Sequence, residues 1–171
     1  DGDGVLDKDG QRFAFDLATN AGNPQRADAV ILIQEQLKRI GIEVRPRFSA
    51  FNPLMDQTNR GDFDAVLMRW TMPTDLDMSF AFATESIGQA ANVFGLSDPA
   101  VDAALDGARQ ATTIEDFTEQ LHHLQRVIHE RQPLTFLYEA QDLAAVSKSI
   151  RDPAPNPLRR LWRVGDWWRT D

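Results

Sequence analysis

The sequence predicts an α/β fold, an open and mostly parallel sheet flanked by helices, on three observations. Apolar and polar residues alternate over residues 12–18 and 42–48, the period of a half-buried strand. Between them, apolar residues recur at three- and four-residue steps, the period of a helix. Residues 63–70 then carry an unbroken apolar stretch from Ala65 to Met68, the composition of a strand buried on both faces. Strand, helix, strand, helix, strand is the order of a parallel sheet with right-handed crossovers, and such sheets bind ligands beyond the carboxyl ends of their strands.

Each element has a local cause. In the first strand, Phe13, Phe15 and Leu17 share a face. Asn23 supplies an N-cap and Pro24 a first helical position for a helix whose Ala27, Val30, Ile33, Leu37 and Ile40 form one stripe, ended by Gly41. In the second strand Ile42, Val44 and Phe48 alternate with Glu43, Arg45 and Arg47, and Pro46, which donates no ladder hydrogen bond, places this strand at an edge or a bulge. A short helix over 53–60 ends at Gly61, and another is expected over 77–83. Asp98 and Pro99 open a helix bearing Val101, Leu105 and Ala108. Thr113 and Asp116 form a capping-box-like start for the next, whose stripe is Ile114, Phe117, Leu121, Leu124 and Ile128, with Pro133 closing it. Strands are expected over 134–138 and 143–147. Beyond Lys148 the chain turns to Pro153, Pro155, Pro157, arginines and Trp162, Trp167 and Trp168, an extended tail whose tryptophans call for a packing partner.

Composition narrows the function. The 171 residues hold 18 basic and 26 acidic side chains, a net charge of −8, and 42% apolar residues, which suits a compact, soluble, anionic domain. An acidic balance disfavours the phosphate-neutralising surface of a nucleic-acid binder, so no nucleic-acid partner is expected. The absence of cysteine removes disulfides, thiolate metal sites and cysteine nucleophiles, and leaves the compartment open. No apolar run reaches the roughly 18 residues of a membrane span, and no basic-plus-apolar leader is visible. The chain opens on Asp1 within an aspartate-rich turn and reads as a piece of a longer protein.

The successive segments LATNAGNPQRADAVILIQEQLKRIGIEV, RGDFDAVLMRW, NVFGLSDPAVDAALDGAR and QPLTFLYEA resemble, in order and spacing, the second lobe of family 5 extracytoplasmic solute-binding proteins, the dipeptide- and oligopeptide-binding components of ABC importers. The resemblance runs from the aspartate turn to about residue 157. It implies a two-lobed clamshell with ligand enclosed between the lobes, residues 1–150 forming the C-terminal lobe and 151–171 a return segment that packs on another lobe or on this one. It further implies an N-terminal lobe elsewhere in the same protein, an ABC permease as partner, a peptide or small polar solute as ligand, and an extracytoplasmic location, in the periplasm or on the cell surface as a lipoprotein.

Two stretches carry candidate chemistry. The opening DGDGVLDKDG holds four aspartates and three glycines, a density found in solvated turns and in oxygen-ligand cation loops. Framed as a Ca2+ loop, Asp1, Asp3, the Val5 carbonyl and Asp7 are ligands and Gly4 is the bend glycine, while Gly10 stands where an EF-hand has its bidentate glutamate and Asp9 is the substitute. That makes at best a partial site that would staple the turn. The second stretch, Trp70, Thr71, Met72, Asp75 and Asp77, follows the third strand, where an open α/β sheet offers its ligand site. The resemblance places this stretch in the cleft, together with Asn92 and Phe94, and implies an aspartate three residues after the tryptophan for a peptide's ammonium group; here that residue is Pro73. Either Asp75 or Asp77 could serve instead, or both could cap the short helix that follows.

Tyr138 and Glu139, at the end of a predicted strand, are weaker cleft candidates. His122, His123 and His129 lack the i, i+4 pairing of zinc proteases and read as solvated helix residues. No nucleophile elbow and no Gly-rich phosphate loop is present, so the expectation is a binding protein and not an enzyme. The alternatives are an enzyme or sensor domain using Asp75 or Asp77 as a general base, and a free-standing interaction lobe.

Overall fold

A computed structural model of the chain describes residues 2–73, 75–89, 91–139, 145–153, 161 and 163–170. The chain forms two compact units, Asp1–Pro133 and Leu134–Asp171. The first begins with a tight antiparallel hairpin, β1 (Asp7–Lys8) and β2 (Gln11–Arg12), whose two linking residues, Asp9 and Gly10, both have positive φ, as a two-residue hairpin turn requires. There follow β3 (Ala14–Asn20), α1 (Pro24–Lys38), β4 (Glu43–Ser49), α2 (Phe51–Asn59) and β5 (Ala65–Val66). The three longer-range strands form a sheet in the order β4-β3-β5, and both pairings are parallel. This is the predicted α/β class, with all three carboxyl ends at one side.

The core between α1 and the sheet is built from Leu17, Val30 and Val44, with Phe15, Ile33, Leu37, Ile42, Ala65 and Leu67 around them. At the start of α1, the Asn23 side chain accepts from the Arg26 N–H at 3.0 Å and Pro24 takes the first turn, as the spacing predicts. The helix stops at Lys38, short of Ile40, which is exposed. Gly41, at φ +80°, makes the reversal into β4, and a Cβ there would lie 2.8 Å from Leu6 Cγ, so only glycine fits. Pro46 does fall on an edge strand: among the described residues β4 pairs with β3 alone, and its Val44 carbonyl is taken by the Gln34 side chain at 2.8 Å.

Several elements differ from expectation. Phe13 precedes β3 and is half exposed, so the strand's inward residues are Phe15, Leu17 and Thr19. The third strand shrinks to two residues. Past Val66, Leu67 donates to the Ala18 carbonyl at 2.8 Å, but its own carbonyl accepts from the Thr19 hydroxyl at 2.9 Å, and that side-chain substitute for a ladder bond lets the chain leave the sheet. With one neighbour among the described residues instead of two, residues 65–68 are half-buried and not fully enclosed.

Beyond β5 come α3 (Ser79–Phe82), a 3-10 turn at Thr84–Ser86, α4 (Pro99–Gln110) and α5 (Ile114–Arg131). Both predicted caps form: Asp98 accepts from the Ala100 N–H and Thr113 from the Asp116 N–H. The two helices approach closely at Gly107, where a Cβ would meet the Gln120 side chain at 2.7 Å, and Arg131 pairs with Asp98 at 2.5 Å. The α5 stripe is close to the predicted one, with Leu124 and Ile128 buried and Phe117 and Leu121 half-buried. Ile114, in the first turn, is exposed, and Val127 joins Leu124 and Ile128 in the core. The helix ends at Arg131, with Gln132 as its cap in the left-handed region at φ 48° directly before Pro133, as the sequence predicts.

In the second unit, β6 (Ile150–Arg151) pairs antiparallel with β7 (Trp168–Arg169). Residues 134–138 pair with no strand among the described residues, and Phe136, Leu137 and Tyr138 are exposed. The predicted strand over 143–147 lies partly outside the described residues, as do Pro155, Pro157 and Trp162. Trp167 is half-buried, whereas Trp168 is exposed and donates from Nε1 to Asp152 at 3.2 Å.

Candidate functional site

Trp70 ends the stretch that leaves β5 at the carboxyl side of the sheet, and it does not stand alone. Its ring meets Phe82 edge-on at 5.7 Å and 90°, Phe80 at 6.1 Å and 77°, and Phe94 at 6.3 Å and 44°. Phe82 also meets Phe94 at 6.1 Å. These are the tilted and edge-to-face arrangements that the ring quadrupoles favour. Phe82 is fully buried, Trp70 and Phe94 are half-buried, and Phe80 is exposed, so the cluster is anchored below and open above. Thr71 and Met72 next to Trp70 are exposed.

The loop under the cluster is braced by polar groups. Thr84 donates from its N–H and its hydroxyl to the two oxygens of Asp102 in α4, at 2.8 and 2.7 Å. The Ser86 hydroxyl donates to the Ser79 carbonyl at 2.7 Å. Asn92 is buried: its amide nitrogen donates to the Ala83 and Leu96 carbonyls at 2.9 and 3.0 Å, and its Oδ1 accepts from the Leu96 N–H at 2.9 Å. Its polar atoms therefore hold the loop that carries Phe94. Among the sequence-predicted residues, Trp70 and Phe94 come together, while Asn92 sits beneath them.

The two aspartates have local tasks. Asp75 is exposed and accepts from the Asp77 N–H at 3.1 Å. Asp77 accepts from the Ser79 N–H at 2.9 Å and from the Ser79 hydroxyl, just before α3, and faces Arg109 of α4 at 3.4 Å. The Ser79 hydroxyl first, then the Ser79 N–H and Arg109, hold the Asp77 carboxyl below its ordinary value, against the burial that would raise it. A carboxylate held ionised in this way is a poor general base. Because the folded form has the lower pKa, the stabilisation is present above the usual carboxylate range and is lost as pH falls through the lowered value. Thermal midpoints of the wild type and Asp77→Asn are therefore expected to differ at neutral pH and to converge on acidification below about pH 3.9. A gap that stays constant across that range would show that the charge of Asp77 contributes nothing.

The aspartate turn leads into the β1–β2 hairpin. Asp1 lies outside the described residues, and among the described residues no group of three or more His, Asp or Glu side chains gathers. Asp3 accepts from the Val5 N–H at 2.8 Å and pairs with Arg12 at 3.0 Å. Asp7 belongs to β1 and Asp9 to the hairpin turn, so the chain reverses after Lys8 where a Ca2+ loop would wrap onward. A hollow of about 400 Å³ lined by Leu6, Asp7, Gln11 and Phe13 lies at the hairpin, at the amino end of β3 and away from Trp70.

Sequence reading missed Phe80, Phe82, Asp102 and Arg109. Ser-Phe-Ala-Phe at 79–82 carries the signal for the first two, since aromatics two apart in one turn point to different surroundings, one inward and one outward.

Comparison with known proteins decides the family. The model of the bacterial extracellular solute-binding proteins, family 5 middle, matches residues 1–91. The oligopeptide-binding protein AppA of Bacillus subtilis is 34% identical over 169 residues, covering 98% of this chain and 31% of AppA. The chain belongs to family 5 of the extracellular solute-binding proteins.

The solved structure of AppA with a nonapeptide superposes on this family 5 chain with a TM-score of 0.83 at 33% identity, covering 99% of the chain and 34% of AppA. NikZ of Campylobacter jejuni, solved with Ni(L-His), shares the fold at 19% identity and a TM-score of 0.73, covering 99% of the chain and 36% of NikZ. The family 5 chain thus spans about a third of the length of these relatives. Trp70 to Asp77 lie within the matched residues, and Asn92 and Phe94 just past them. No helix among the described residues is long and apolar enough to cross a membrane.

Proposed function

We propose that this chain serves as one lobe of an extracytoplasmic solute receptor that captures a peptide, or a polar solute of similar size, and delivers it to an ABC permease. Residues 1–150 are the lobe, 151–171 the return segment, and an N-terminal lobe of the same protein supplies the opposing wall. The observation that carries this reading is the half-exposed Trp70, propped by Phe80, Phe82 and Phe94 at the carboxyl side of a parallel sheet. An oligopeptide-binding relative at 34% identity along nearly the whole chain supports the solute class.

Capture works by population shift. Ligand held between two lobes stabilises the closed form, because only that form makes both sets of contacts, and the permease recognises that form. Trp70, Thr71, Met72, Asp75 and Phe94 are the contact residues, with Asp77 and Asn92 setting their positions. Pro73 offers no carboxylate for a peptide ammonium group, so affinity comes from aromatic surface, ligand backbone and bridging water, which tolerate varied sequences.

Mass spectrometry of small molecules released from the gently purified receptor is expected to find a mixture of peptides; a consumed substrate in place of a retained solute would refute the reading. Trp70→Ala is expected to weaken peptide binding about tenfold, with circular dichroism unchanged, because a large stacking surface is lost while Phe82 keeps its other contacts. Unchanged affinity would remove Trp70 from the site.

A further inference from the structure

We infer that Leu76 is a specificity-determining residue, holding an apolar side chain out of the protein's own core to receive an apolar side chain of the bound peptide. The inference rests on the proposed receptor reading and adds a residue to it. Among the described residues, five other than glycine have positive φ: Asp9, Leu76, Gln132, Asp152 and Arg163. Asp9 sits in a hairpin turn and Gln132 ends a helix, both places where the left-handed region is ordinary. Leu76, at φ 58°, is the apolar one, and it has no side-chain hydrogen bond to offset the steric cost of that backbone.

Burial does not offset it either, since Leu76 is 40% exposed. The conformation is imposed from both sides. The Leu76 N–H donates to the Pro73 carbonyl at 3.2 Å, closing a turn, and Asp75 reaches across Leu76 to accept from the Asp77 N–H at 3.1 Å. Asp77 is itself fixed by Ser79 and Arg109. A glycine would serve this turn with less strain, as it does at Gly10, Gly41 and Gly61. A branched apolar side chain there, in the same connecting segment as Trp70 and the exposed Met72, is strain stored in the loop proposed to meet the ligand.

The test uses the whole receptor and nonapeptides in which each position in turn is Leu or Ser on an alanine background. Wild-type protein is expected to prefer Leu at one position by about tenfold, the scale of an apolar side chain entering a partly formed pocket. Leu76→Gly, which keeps the turn and removes the side chain, is expected to flatten that preference alone, with a Tm equal to or above that of the wild type. Leu76→Asn, which also tolerates positive φ, should flatten it likewise. A preference that persists in Leu76→Gly, a wild type with no preference, or a uniform loss across all peptides would overturn the inference. A lowered Tm would do so too, since it would mean that Leu76 packs within the protein. If Trp70→Ala weakens every peptide while Leu76→Gly keeps the preference, the inference falls and the receptor reading stands; if Trp70→Ala changes nothing either, both fall.

Discussion

Replacing Phe82 with alanine is expected to lower the free energy of unfolding by about 3–5 kcal/mol, the range for deleting a buried aromatic ring whose cavity cannot collapse. Phe82 is 2% exposed and touches both Trp70 and Phe94, so its loss leaves two rings leaning on empty space. The backbone that carries Phe82 is poorly able to close the gap, because the flanking Ser79 and Ala83 carbonyls are held by the Ser86 and Asn92 side chains. Peptide binding should fall with stability, since the ring proposed to face the ligand loses its support. Phe80→Ala is the control. Phe80 meets Trp70 at a similar distance but is 38% exposed, so its removal should cost less than about half as much, in proportion to area taken out of water. Urea denaturation followed by tryptophan fluorescence reads both; equal losses would mean that the cluster is not anchored through Phe82.

That asymmetry between two phenylalanines in one turn illustrates what the sequence discloses and what it withholds. The α/β alternation, the caps at Asn23, Asp98 and Thr113, and the edge position of the Pro46 strand were all legible, because each rests on chemistry within a few residues of itself. The length of β5 was not, since it depends on a single hydroxyl, Thr19, that is 48 residues away from the carbonyl it occupies. The extra burial of Val127 in α5 has the same origin, since the periodic stripe of Phe117, Leu121, Leu124 and Ile128 was legible but the flank that α4 also covers was not. At the site, Trp70 and its loop could be placed from the order of strands, but the roles of Asp77 and Asn92 could not. An aspartate that caps Ser79 and one that would meet a ligand are the same letter, and the difference lies in Arg109, 32 residues on. The aspartate-rich opening shows the same limit: composition counts its oxygens, whereas the Asp3–Arg12 pair and the Asp9–Gly10 turn emerge only in the fold.

Asn92→Ala is expected to cost about 3 kcal/mol, of the same order as the loss of Phe82, although it removes only a small polar group. The reason is the asymmetry between a hydrogen bond made and one left unmade. Asn92 is 1% exposed, so deleting its side chain strands the Ala83 carbonyl in the interior and takes this partner from the half-buried Leu96 carbonyl and N–H. It also frees the loop between residues 92 and 96, and Phe94 within it, so ligand capture should weaken in parallel. Asn92→Asp separates the hydrogen bonds from the packing. The volume is kept and one oxygen can still accept from Leu96, but at neutral pH a carboxylate would face two carbonyl oxygens where the amide donated to both. Burial and that repulsion both raise the pKa of the new carboxyl in the folded state. Its protonated form, which regains one donor, therefore stabilises the fold at low pH, and that stabilisation is lost as pH rises through the raised value. Measured against Asn92→Ala, the Asp variant should gain stability on acidification, opposite in sign to the effect of Asp77. A flat difference between the two variants, or an Asp variant as stable as the wild type at pH 7, would show that Asn92 does not hold this loop through its amide.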